Sequence, residues 1–114
     1  MSVKLSTRQV GDVTVVDAVG RITLGDGAST FRDTTRELAA SGHKKLLLNL
    51  AEVSYIDSSG IGEMVSGFTT ITNQGGQVKL LNLTKRVKDL LQITKLYTVF
   101  EVFEDEATAV RSFA

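Results

Sequence analysis

The four residues Asp57-Ser58-Ser59-Gly60 are the part of this sequence best equipped for chemistry. An acid, two hydroxyls and a glycine in a row are the usual furnishing of a helix start, where a side-chain oxygen accepts an orphan backbone N–H. A helix start also carries a positive dipole end and unpaired donors, which favour an anion. Ser58 or Ser59 could therefore carry a phosphate that the helix end would tolerate. The same four residues also fit an ordinary capped helix start, with Asp57 or Ser58 as the cap and no further role. Gly60 and Gly62 bear on the choice. Two glycines in one helical turn cost about 1 kcal/mol each against alanine, which is poor helix design unless another backbone must come close.

Other arrangements of reactive residues are weaker. Ser58 as a catalytic nucleophile needs a base within hydrogen-bond reach. The one histidine, His43, precedes the strand that leads into the motif, which puts it at the opposite end of a sheet. Asp57 and Glu63 are six residues apart, so with 3.6 residues per turn they point to different sides and make no carboxylate pair. Gly25-Asp26-Gly27 and Gly60-Ile61-Gly62 lack the spacing and the lysine of a phosphate-binding loop. Lys85-Arg86 and Lys88 read as a solvated basic face. Nothing in the sequence calls for a metal or a cofactor.

The elements that must hold the motif are legible around it. Leu46 to Leu50 is an apolar run of the kind found in strands covered on both faces. From Ile61 the period changes, and Ile61, Met64, Val65, Phe68 and Ile71 fall on one face of a helix. The opposite face carries Glu63, Ser66, Gly67, Thr70, Asn73 and Gln74. These are small or weakly charged for a solvated face and make a candidate docking surface. Upstream, Val3 and Leu5 alternate, as do Val13, Val15 and Val19 after Gly11-Asp12, which predicts an antiparallel pair with Gly20 closing the second strand. Ala28, Phe31, Thr35 and Leu38 predict a helix capped by Asp26 or Ser29 and stopped at Gly42. Downstream come a strand at Val78 to Leu81, a helix capped by Thr84, a strand at Val99 to Phe103 and a last helix starting at Asp105. The order β-β-α-β-α-β-α-β-α predicts an α/β domain over 1–114, with a small, mixed, mostly parallel sheet and right-handed crossovers.

Composition narrows the function classes. Thirteen basic and thirteen acidic residues cancel, which offers no electrostatic case for nucleic acid or an anionic membrane. Cysteine is absent, which excludes disulfides and thiolate chemistry. No signal core or membrane-length apolar stretch occurs, so a cytoplasmic location is expected. The N-terminal strand could form an exposed edge, which permits a homodimer without requiring one.

With this element order, Leu48-Asn49-Leu50 followed by Tyr55-Ile56-Asp57-Ser58-Ser59-Gly60-Ile61-Gly62 resembles the STAS domain family, and within it the bacterial anti-sigma factor antagonists. The resemblance implies a small sheet flanked by helices on one side and a regulatory module without catalysis of its own. It implies that the unphosphorylated protein binds an anti-sigma factor, itself a serine kinase, and so frees the sigma factor. Phosphorylation would end the binding and a metal-dependent phosphatase would restore it. Carried onto this sequence, the acceptor is Ser58, with Ser59 as the alternative. The partner surface would comprise Asp57, Ser58, Ser59, Gly60, Gly62, Glu63, Ser66, Gly67, Thr70, Thr23 and Asp26. One departure falls in that surface. Many such antagonists carry an aspartate after a Gly-x-Leu at the end of the second strand, where Gly20-Arg21-Ile22 is here followed by Thr23, with Asp26 the nearest acid. The other use of such a domain, as a transporter-associated or sensory subunit that binds a nucleotide, lipid or anion near the same helix end, is the second expectation.

Overall fold

The computed structural model describes residues 3–113; Met1, Ser2 and Ala114 lie outside it. Five strands form one sheet in the order β1-β2-β3-β4-β5. β1 (Val3–Val10) pairs antiparallel with β2 (Val13–Ile22) across a turn at Gly11, whose φ of 63° suits a residue without a side chain. β3 (Lys45–Ile56), β4 (Gln77–Leu81) and β5 (Val102–Phe103) add on in parallel. The helices α1 (Asp26–Ala40), α2 (Ser58–Asn73), α3 (Lys85–Ile93) and α4 (Glu106–Arg111) alternate with the strands. The predicted order and the mostly parallel sheet are those observed, with one short 3₁₀ turn added at Leu96–Thr98.

β3 is central and buried on both faces, as its apolar run requires. Leu46, Leu48 and Leu50 face the larger core, with Phe31 of α1, Met64 and Ile71 of α2 and Leu91 of α3. Leu47 points the other way, into a smaller cluster with Val13, Val15, Leu81, Ala109 and Phe113. The expectation of helices on one side therefore needs correction, because α4 covers part of the second face. An amphipathic strand pair needs a cover only where its outer face is apolar, and that is where α4 lies.

Several boundaries also differ. β3 continues well past Leu50 to Ile56, because Val53 and Ile56 stay buried although Ala51 and Glu52 interrupt the apolar run. Gly20 does not close β2; it sits at a register shift against β3, and the strand resumes to Ile22. β5 shrinks to two residues. α1 starts after Gly25, with no side-chain cap, so neither Asp26 nor Ser29 serves as its N-cap. Thr84 and Asp105 do cap α3 and α4, accepting the backbone N–H groups of Val87 and Thr108.

Candidate functional site

The parallel strands β2 and β3 end together, and their ends place two chain segments side by side. Ile22 and Ile56 are register partners, and the residue after β3, Asp57, donates its N–H to the Ile22 carbonyl at 3.4 Å. Beyond Ile22 the chain turns through Thr23, Leu24 and Gly25 into α1. Beyond Ile56 it turns through Asp57 into α2. Both helix starts therefore lie at one corner of the sheet.

Asp57 joins the two segments. Its backbone is extended (φ −100°), and its Oδ1 accepts the Gly60 N–H at 2.9 Å, which makes it the N-cap of α2. Its Oδ2 accepts the N–H of Leu24 at 2.9 Å. The Leu24 and Gly60 donors, in that order, hold the Asp57 carboxyl below the usual carboxylate range, against a small opposing effect of burial. One ionised side chain thus caps the central helix and ties down the loop beside it.

Ser58 is the first residue of α2 and is exposed, while Ser59 is half-buried. Between the two hydroxyls, Ser58 is the one open to an enzyme. Thr23 is half-buried, and its carbonyl accepts the Ala28 N–H at 2.8 Å, closing the first turn of α1. Asp26 is exposed at the start of α1. The corner thus brings together Asp57, Ser58, Thr23 and Asp26.

It does not bring together all the residues expected to line it. Gly60 is buried, and a Cβ there would overlap the Ile22 carbonyl oxygen and lie 2.7 Å from the Ile56 Cγ2. Its missing side chain serves the packing of α2 onto the strand ends, not the approach of a partner. Gly67 is also buried, with a Cβ position 3.4 Å from Thr35, so it sets the α1–α2 contact. Glu63 is half-buried, and its carboxylate lies 3.8 Å from Arg32 Nη1 of α1. Thr70 is half-buried. A helix turns about 100° per residue, so these positions fall on the α1 side of α2. Between residues 58 and 70, what α2 exposes is Ser58, Gly62, Ser66 and Thr69, an unbroken stripe at four- and three-residue steps. A methyl group placed on Gly62 would have nothing within 4 Å, so this is the glycine that leaves room for a neighbour.

Sequence reasoning missed Thr69 and, more importantly, Leu24. Leu24 is 79% exposed, on the loop that Asp57 holds. An aliphatic residue between Thr23 and Gly25, outside any periodic pattern, was the available signal. His43 sits before β3 with its Nδ1 2.7 Å from the Thr14 hydroxyl, at the sheet end away from Ser58, as expected. The corner therefore offers an exposed hydroxyl beside a helix N-terminus and an exposed leucine, and the chain's one imidazole is not there to act as a base.

Comparison with known proteins agrees with this architecture. The family model of the STAS domain matches residues 4–109. The anti-sigma-B factor antagonist of Bacillus subtilis (strain 168) is 32% identical over 102 residues, covering 90% of this chain and 92% of that protein. An anti-sigma factor antagonist structure from Mycobacterium paratuberculosis superposes with a TM-score of 0.88 at 15% identity, over 98% of this chain and 94% of the other. The Bacillus cell fate determinant SpoIIAA, solved in its phosphorylated form, superposes with a TM-score of 0.76 at 18% identity, over 97% of this chain and all (100%) of the other. With the family model matching residues 4–109 and a relative 32% identical over 90% of the chain, the chain belongs to the STAS domain family.

Proposed function

We propose that this chain is an anti-sigma factor antagonist that works by partner switching. In its unphosphorylated form it binds an anti-sigma factor, which is also a serine kinase, and releases the sigma factor. Phosphorylation of Ser58 ends the binding, and a metal-dependent phosphatase restores it. The observation that carries this reading is the exposure of the Ser58 hydroxyl at the start of α2, on a corner that also presents Leu24 and the Gly62–Ser66–Thr69 stripe. The similarity to the Bacillus subtilis antagonist over nine-tenths of the chain supports the partner class.

The physical basis of the switch is a cost at the interface. A phosphoserine brings about −1.5 to −2 charges at neutral pH. The α2 dipole favours such a charge by about 0.3–1 kcal/mol, so the fold tolerates it. A protein seated on the corner would have to take that dianion out of water, at several kcal/mol if it finds no counter-charge. Binding is lost with little rearrangement within the domain.

The experiment is incubation with ATP and the cognate anti-sigma kinase, phosphosite mapping, and calorimetry of three forms. Phosphate should map to Ser58. Ser58→Ala should bind like the wild type without taking up phosphate, and Ser58→Asp should bind more weakly. Equal affinity of the three forms would refute the switch.

A further inference from the structure

Two cations lie near the Tyr55 ring. The Arg21 guanidinium, from β2, is 5.6 Å from its centroid, and that of Arg86, from the first turn of α3, is 5.3 Å away. Both arginines are exposed, and among the described residues neither takes part in an ion pair. The ring also forms one wall of an open groove of about 510 Å³, continued by Leu90 and Ile93 and rimmed by Lys85 and Asp89. Ile93, the last residue of α3, is 78% exposed, so an aliphatic wall stands in water beside the Arg86 guanidinium and the Lys85–Asp89 ion pair (3.0 Å), while Arg21 reaches the Tyr55 ring from outside the groove lining. The whole chain is electrically neutral. The positive excess is therefore local to the groove and not a by-product of a basic protein.

These features select an occupant. A guanidinium within cation–π reach of an aromatic ring and in no ion pair keeps its N–H fork free, suited to a carboxylate in bidentate contact. The groove is too open to enclose most of a small molecule's surface as ligand pockets do, and no buried polar side chain among the described residues lines it. A chain segment that presents carboxylates to Arg21 and Arg86 and a leucine-sized side chain to Leu90 and Ile93 satisfies both halves. Position adds to this. Arg21 is the register partner of Tyr55, two residues ahead of Asp57, so the groove adjoins the phosphoacceptor corner.

We infer that the Arg21–Tyr55–Arg86 groove is a second docking site, which takes an acidic, leucine-bearing segment of the anti-sigma factor. Naming that partner rests on the partner-switching reading; the chemistry of the groove does not. Ser58 would then decide whether the corner closes, while the groove supplies salt-sensitive capture in either state.

The test is an amide NMR titration of the full chain with a short synthetic peptide alternating Glu and Leu, against the same peptide with Lys for Glu, ATP, and phosphatidylglycerol vesicles. The acidic peptide should shift Tyr55, Arg86, Leu90 and Ile93. The Arg86→Glu/Ile93→Ser chain, altered only at exposed positions, should lose about tenfold in affinity or more. Ser58→Asp should leave peptide affinity unchanged. No shift with the acidic peptide, equal shifts with the basic one, or shifts only with ATP or vesicles would each overturn the site. The two readings fail separately. If peptide binding holds while Ser58→Asp still binds the anti-sigma factor fully, the phosphoswitch falls and the groove stands; in the reverse case only the groove falls.

Discussion

Gly60 and Gly62 stand two residues apart in the first turns of α2, and a methyl group added to each meets opposite surroundings. At Gly60 it runs into the Ile22 carbonyl, and backbone has to move, at a cost of about 1–3 kcal/mol. At Gly62 it meets open space, and the better helix propensity of alanine should add up to about 1 kcal/mol. Urea denaturation of Gly60→Ala and Gly62→Ala should therefore move the midpoint in opposite directions; a shared direction would mean that α2 does not seat on Ile22 as described. Leu24→Ala tests the other part of the corner. Its side chain is mostly in water, so stability should stay within about 0.5 kcal/mol, while on the proposed function calorimetric affinity for the anti-sigma factor should fall; unchanged affinity would remove Leu24 from the docking surface. The motif Asp57-Ser58-Ser59-Gly60 is legible in the sequence because capping is local chemistry. The reason for Gly60 is not. The atom that excludes a side chain there belongs to Ile22, far upstream in sequence, and only the ending of β2 beside β3 brings it near.

Between elements, the clearest device is a row of polar contacts across the outer face of the sheet. Arg8 of β1 makes paired contacts with Asp17 of β2 (2.7 and 3.2 Å) and with Glu106 of α4 (2.6 and 3.0 Å). Asp17 in turn accepts from the Asn49 side chain of β3 at 2.8 Å. Arg8 thus holds the short α4 against the strands at the edge of the smaller core. Exposed pairs are worth about 0–1 kcal/mol each, so Arg8→Ala should destabilise modestly, and the loss should shrink in high salt. Thermal denaturation at two ionic strengths checks this; a salt-independent loss would point to packing of the arginine stem instead. The helical and strand periods announce most elements in order, and Thr84 and Asp105 announce two of the helix starts. Two features escape such a reading. α4 crossing to the second face depends on Leu47 and Leu81 pointing there, which a run of consecutive leucines does not reveal. The α1 side of α2 passes for a docking face because Gly67 and Thr70 look like surface residues until Thr35 of α1 is set against Gly67.

The molecule as a whole should be sensitive to acid. Asp57, Asp17 and Glu106 all have carboxyl groups held below their ordinary range, the first by backbone donors at Leu24 and Gly60, the other two chiefly by Arg8. A carboxylate with a lower pKa in the folded than in the unfolded chain stabilises the fold fully above its unfolded value, about 3.9 to 4.3. That contribution declines as pH falls through the folded value. The melting temperature should therefore hold between pH 7 and pH 5 and drop as pH falls below about 4. Asp57→Asn/Asp17→Asn should start lower and drop less over the acid limb. An identical acid limb in the double variant would show that these contacts do not form. At neutral pH, by contrast, phosphorylation of Ser58 should not lower the melting temperature and should raise it by at most a few degrees, with amide shifts confined to 22–26 and 56–63.

The double grip of Asp57 has a temporal consequence. The leucine-bearing loop and the serine cannot drift apart while one carboxylate holds the Leu24 and Gly60 donors at 2.9 Å each. That grip does not involve the Ser58 side chain, so under the proposed switch the corner should keep its outline when Ser58 is phosphorylated, with no slow refolding between the two states. On the proposed function, the duration of a signal would be set by how fast enzymes attach and remove one chemical group, and the domain would act as a passive record of their balance.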